Sequence, residues 1–108
     1  MSVRRTYNIR TPHLVFEWDP EKDTDNQKKH GVGFFEAVAV FADERALLVS
    51  DADHSDDEDR FIMLGFGSAA RVLVVVHCYR EGDTVIRIIS ARPANRSERR
   101  FYSKGFDS

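Results

Sequence analysis

Residues 72–76 read Val-Leu-Val-Val-Val, and this run constrains the fold more than any other part of the chain. Five apolar residues in a row leave no polar side for water, so a strand built from them is covered on both faces. The run lies inside a strand expected from Arg71 to Tyr79. A strand from Arg60 to Phe66 precedes it, closed by Gly65 and Gly67-Ser68. Glu81-Gly82-Asp83 supplies a turn, and Thr84 to Arg92 forms the last strand. Pro93 ends it, because proline cannot donate to a ladder. Three consecutive strands with short connections predict an antiparallel meander, hence an α+β domain.

Two helices are expected upstream of the meander. Leu14 to Trp18 reads as a short strand. Asp19-Pro20 then opens a helix, with Asp as N-cap and Pro in the first position. Lys28, Lys29 and His30 fall in its last turn, where cations suit the helix dipole, and Gly31 is the stop. This helix has almost no apolar face, so its side chains are expected at a surface, with Trp18 and Val32 anchoring its ends. The second helix, Phe34 to Phe41, carries Phe34, Val38 and Phe41 on one face and is expected to pack on the sheet. Ala46 to Ser50 is a further strand, and Ser97 to Tyr102 belongs to a final helix.

At 108 residues the chain makes one domain, and a chain of this size buries roughly two thirds of its unfolded surface. The expected organisation is a flexible extension over residues 1–13 and a single domain over 14–108. Cys78 is the only cysteine, so no intrachain disulfide forms, which points to a reducing, cytoplasmic setting. No stretch approaches the roughly 20 apolar residues of a membrane span. Net charge is −2, but the charge is unevenly placed. Six acidic residues and no basic one lie between Asp51 and Asp59. Six basic residues stand against Glu98 alone between Arg87 and Lys104. One end of the molecule is suited to phosphate, and the other either repels it or meets a basic partner.

Simple catalytic templates are missing. There is no Gly-rich phosphate loop, CxxC, HExxH or serine elbow. Asp51, Asp53, His54, Asp56 and Glu58 include hard oxygen ligands but lack EF-hand spacing, so the expected metal complement is none. Arg87, Ser90 and Arg92 lie on the last strand. Arg87 between Ile86 and Ile88 is costly without a partner. It is either in a structural ion pair, with Glu58 as candidate, or a phosphate clamp, for which the planar guanidinium is suited. An odd separation sends Arg87 and Arg92 to opposite faces of a regular strand; they converge only if it bulges near Ser90-Ala91. His30 is a candidate proton carrier near neutral pH or, equally, a helix C-cap. His13, His54 and His77 are weaker candidates, and Cys78 is expected to be inert.

Four blocks together carry a family resemblance. They are FEWDPEK with Asn26 and KHGV at 29–32, FFEAVAVFAD at 34–43, DHSDDEDRF at 53–61, and IRIISARPANRSERRFY at 86–102. In their order and spacing the chain resembles the BrnT toxins of bacterial toxin–antitoxin modules, within the RelE-like ribonuclease group. The resemblance runs from about Val15 to Tyr102. It implies a RelE-like twisted antiparallel sheet flanked by two N-terminal helices and a C-terminal helix. It also implies a metal-independent endoribonuclease without cofactor that inhibits translation. The implied partner is a BrnA-like antitoxin with a DNA-binding ribbon–helix–helix domain, through which operator DNA is reached. The matching positions are Lys29, His30, Glu58, Arg60, Arg87, Ser90, Arg92, Glu98 and Arg99. Two departures stand out: Gly33 where a side-chain N-cap is common, and the segment before His13.

RelE-like enzymes vary in their catalytic residues, so the fold alone assigns none. The expected catalytic set is Lys29, His30, Glu58, Arg60, Arg87 and Arg92, with His30 or Glu58 moving the proton and Lys29, Arg87 and Arg92 on the phosphate. Lys28, Ser90, Arg96, Arg99 and Arg100 are the expected RNA contacts, and Tyr102 is the stacking candidate or, equally, a residue that packs the final helix. The rival class is a non-catalytic domain that binds nucleic acid or protein through the same arginine face.

Overall fold

The computed structural model describes residues 7–10, 14–50, 60–80 and 84–105. The elements in chain order are β1 Tyr7–Arg10, β2 Val15–Trp18, α1 Pro20–His30, α2 Phe34–Val38, a 3-10 turn Ala39–Ala42, β3 Leu47–Ser50, β4 Phe61–Phe66, β5 Val72–Arg80, β6 Val85–Pro93 and α3 Arg96–Lys104. The six strands form one sheet in the order β1-β2-β6-β5-β4-β3. The α+β class, the meander β4-β5-β6 and the flanking helices are as the sequence predicts. One pair differs: β2 runs parallel to β6, with Val15 opposite Val85 and Glu17 opposite Arg87. Two further findings concern the ends of the sheet. Tyr7–Arg10, inside the expected extension, pair antiparallel with β2, and the acidic run 51–59 lies outside the described residues.

The Val-rich β5 is the centre, as its composition requires. Leu73, Val75 and His77 point to one face, where Phe16, Trp18, Val32, Phe34, Ala37, Val40, Ile86, Ile88 and Ala91 complete the main core. Val72 and Val74 point to the other face and meet Leu64, Ala94, Leu47, Ile62 and Tyr102 under α3. The run is thus covered on both sides by different helices.

The second helix is shorter than expected. It ends at Val38, and the 3-10 turn carries Val40 into the core. The missing side-chain cap at Gly33 is replaced from α1, where Asp23 Oδ1 accepts the Phe34 N–H at 2.8 Å. α1 itself is capped by Asp19 and stopped by Gly31 in the left-handed region (φ 69°), a conformation glycine adopts without Cβ cost. As its polar sequence predicts, α1 buries only Asn26, while Trp18 and Val32 at its ends are buried.

Candidate functional site

The pairing of β6 with β5 contains one irregularity. Ser90 pairs with Val76 and Ile88 with His77, so Ile89 is an extra residue on β6. A bulge of this kind shifts the alternation of side chains by one. Arg87 is opposite Cys78 and Arg92 opposite Val74. Their separation is odd on β6 but even on β5, so Arg87, Ser90 and Arg92 share one face, that of Val74 and α3. Four residues of β5 set the two arginines roughly 13 Å apart along the strands, with Ser90 between them.

Each strand arginine is held by a carboxylate. Arg87 Nη1 donates to Glu17 Oε2 at 2.9 Å, and Arg80 Nε approaches the same oxygen at 3.6 Å. The Arg87 side chain is 11 % exposed. The partner among the described residues is Glu17 on the parallel strand β2; Glu58, the candidate from the sequence, lies outside them. Arg92 grips Glu98 with both terminal nitrogens at 2.8 Å, yet its side chain stays 42 % exposed. The Arg92 guanidinium holds the Glu98 carboxyl below its ordinary range, against the opposing effect of burial and aided by the Asn95 amide.

Glu98 also starts α3. Its Oε1 accepts the Asn95 N–H at 2.8 Å while the Asn95 Oδ1 accepts the Glu98 N–H at 2.8 Å. This capping box joins the helix entry to Arg92, a link visible in the sequence only as Asn-x-x-Glu. Arg99 Nη1 donates to Ala94 O at 2.8 Å, while Arg96, Arg100 and Lys104 are exposed. The first turns of α3 thus carry several cations beside the arginine strand.

Asn26 fixes the strand beyond the bulge. Its Nδ2 donates to Ala91 O at 2.7 Å and Val32 O at 2.8 Å, and its Oδ1 accepts the Ala91 N–H at 3.1 Å. β2 pairs with β6 only from Val85 to Arg87, so the carboxamide takes the place of a neighbouring strand at Ala91. It is 6 % exposed. Sequence reasoning marked Asn26 only as part of a block. A lone asparagine on a polar helix carries no signal that it will be buried.

Lys28, Lys29 and His30 are exposed on the last turn of α1. The next residue, Gly31, accepts from Arg71 Nη2 at 2.7 Å. Arg71 directly precedes β5, whose Leu73 pairs with Pro93. The α1 end and the α3 start therefore lie at the Arg92 end of the sheet. Arg60 directly precedes Phe61, which pairs with His77, so it lies at the Arg87 end. The expected catalytic set is thereby divided: Arg87 and Arg92 share the face of α3, Arg60 lies at the Arg87 end, and Lys29 and His30 sit at the end of α1, whose flanking Trp18 and Val32 belong to the core on the other face; Glu58 and residues 51–59 are outside the described residues. Among those described, no three His, Cys, Asp or Glu gather as metal ligands. No described helix is long and apolar enough to cross a membrane.

Two sequence candidates turn out to be packed. His77 is fully buried against Phe41, Phe61 and Tyr79, and burial depresses its pKa to about 4. Tyr102 stacks on Phe66, with ring centroids 5.8 Å apart, and donates to Asp43 Oδ2 at 2.5 Å. Burial and that bond push its hydroxyl up to about 12, so Tyr102 anchors α3 rather than offering a ring to a base. The exposed aromatic on α3 is its neighbour, Phe101, 57 % exposed. Cys78 is buried.

Comparison with known proteins agrees with this architecture. Residues 18–98 match the family model described as the ribonuclease toxin, BrnT, of type II toxin–antitoxin systems. The fold is similar to the crystal structure of the Brucella abortus ribonuclease toxin BrnT, with a TM-score of 0.55 and 24 % sequence identity over 73 % of this chain and 94 % of that one. No curated protein sequence matches significantly.

Proposed function

The chain belongs to the BrnT family of ribonuclease toxins of type II toxin–antitoxin systems, and from that premise we propose that it is a metal-independent endoribonuclease acting on single-stranded RNA. The ribose 2′-oxygen attacks the adjacent phosphorus, and the bond from phosphorus to the 5′-oxygen breaks. A base takes the 2′ proton and an acid supplies one to the leaving oxygen. The products are a 2′,3′-cyclic phosphate and a 5′-hydroxyl. Water and a metal ion are not needed in that balance; a proton acceptor, a proton donor and fixed positive charge are.

The observation that carries this reading is the Ile89 bulge, which brings Arg87, Ser90 and Arg92 to one face beside the cations of α3. Glu98 aims Arg92 and Glu17 aims Arg87, so neither guanidinium spends binding energy on ordering itself at the phosphate. Arg92 is the stronger phosphate ligand, because it is far more exposed than Arg87. His30 or Glu58 moves the proton, with Lys29 at the same end as His30 and Arg60 near Arg87. Lys28, Arg96, Arg99 and Arg100 guide the backbone. A type II family implies an antitoxin. We assign it as BrnA-like, with a ribbon–helix–helix domain through which the pair reaches its operator, in the cytoplasm.

Purified protein incubated with RNA in excess EDTA tests the chemistry. The expected fragments carry 5′-hydroxyl and cyclic phosphate ends, and His30→Ala and Arg92→Ala slow their formation at least tenfold. Binding without cleavage overturns the enzymatic reading. Unchanged cleavage by both variants overturns the site, and cleavage abolished by EDTA overturns metal independence.

A further inference from the structure

The rotation of α3 over the sheet separates two flanks. Glu98 reaches inward to Arg92, while Arg99 reaches outward to Ala94, beyond the end of β6. Tyr102 lies between them, on the sheet. At 100° per residue, Phe101 falls 60° beyond Glu98 and about 160° from Arg99. Phe101 therefore lies on the inward flank, toward the part of the face that carries Val76, Ser90 and Arg87. Its Cβ is a same-side neighbour of Glu98, roughly 5–6 Å away, and Glu98 holds the Arg92 guanidinium. A large ring that is 57 % exposed thus stands one helical turn from a phosphate-binding arginine, with Lys104 on the same flank.

From this placement we infer that Phe101 is the stacking platform for an unpaired nucleobase whose phosphate contacts Arg92. The inference rests on the ribonuclease reading and adds a subsite to it. A single strand presents base and phosphate on opposite sides of each sugar, so a cation and an aromatic face one helical turn apart suit one nucleotide. Every base has a π-face, so this contact selects single strands over duplex without selecting sequence. The cations nearest it around the helix, Arg100 and Lys104, favour a polyanion over an apolar protein partner at this flank.

The experiment compares two uncleavable ligands of equal length and charge: a 2′-O-methyl oligoribonucleotide, which lacks the nucleophile, and its abasic counterpart. The wild-type toxin is expected to bind the base-bearing strand about tenfold more tightly, as stacking on one base corresponds to. Phe101→Ala loses that preference and keeps the same salt dependence. Phe101→Trp retains the preference, and its fluorescence is quenched by the base-bearing strand alone. Phe35→Ala, which removes an exposed ring on α2, leaves the preference intact. Circular dichroism melts check that each variant is folded. Persistence of the preference in Phe101→Ala overturns the inference and leaves the ribonuclease reading standing. If wild type binds neither strand, both fall. If Phe101→Ala loses only neutralisation by the antitoxin, the ring belongs to a protein interface and the inference is overturned.

Discussion

Mild acid should destabilise this protein through His77, and the structure sets the size of the effect. His77 is fully buried. Nδ1 lies 3.4 Å from the Val75 carbonyl, which can only accept, so that nitrogen carries the proton and Nε2 faces the Tyr79 hydroxyl at 3.3 Å. The ring is neutral, with burial depressing its pKa from 6.5 to about 4. A group whose folded pKa lies below its unfolded value gives full stability above the unfolded pKa. That stability is lost as pH falls from 6.5 towards 4, because only the unfolded chain takes up the proton. At pH 4.5 the loss is about 2.5 kcal/mol, and fully developed it is about 3 kcal/mol. Urea denaturation at pH 7.5 and 4.5 measures it. Wild type should lose about 2.5 kcal/mol more than His77→Leu, a shift of roughly 1–2 M in urea midpoint for a chain of this size. His77→Leu should be weaker at pH 7.5, having lost two polar contacts, and stronger at pH 4.5. Equal losses in the two proteins would refute a neutral, buried imidazole.

Three further variants test the site. Asn26→Ala leaves the amide and carbonyl of Ala91 and the carbonyl of Val32 without their partner, so thermal melts should show a loss of about 3 kcal/mol; cleavage should fall further than the folded fraction does, because Arg92 loses its register. Glu98→Gln removes the carboxylate beside Arg92, so RNA should bind more tightly while kcat drops, read from single-turnover cleavage over a range of enzyme concentrations. The same variant should also lose less stability than wild type between pH 6 and 3, since the depressed carboxyl of Glu98 stabilises the fold above its unfolded pKa and ceases to as pH falls through the folded one. Arg87→Ala should cost about 2 kcal/mol in urea titrations, less than a fully orphaned buried charge would, because Arg80 still faces Glu17.

The central strand, the meander and the basic last helix are legible in the sequence because each follows from local periodicity and capping. The phase of β6 is not. Ile88 and Ile89 are interchangeable as strand residues, so nothing in IRIISAR marks which one is extra; the pairing with β5 and the hold of Asn26 on Ala91 decide it. The partner of Arg87 was equally hidden, since Glu17 is brought beside it by a parallel pairing 70 residues away. Tyr102 and Phe101 read alike as adjacent aromatics. Only the docking of α3, with Asp43 accepting from Tyr102, separates the anchor from the exposed ring. The second helix was read too long because its apolar spacing continues into a 3-10 turn, which the same residues satisfy equally well.

The parallel pairing of β2 with β6 also orders events in time. β2 leaves the ribosome long before the strand it pairs with, and Glu17 must wait 70 residues for Arg87. Contacts of such long sequence separation form after local ones, because chain entropy must be overcome first. The meander and α3 can assemble from neighbouring segments, but the carboxylate that seats Arg87 arrives only when the two distant strands close. Arg92 needs only Glu98, six residues on, so the two arginines of this face are seated in turn: Arg92 with the local contacts of α3, and Arg87 last, as the distant strands close.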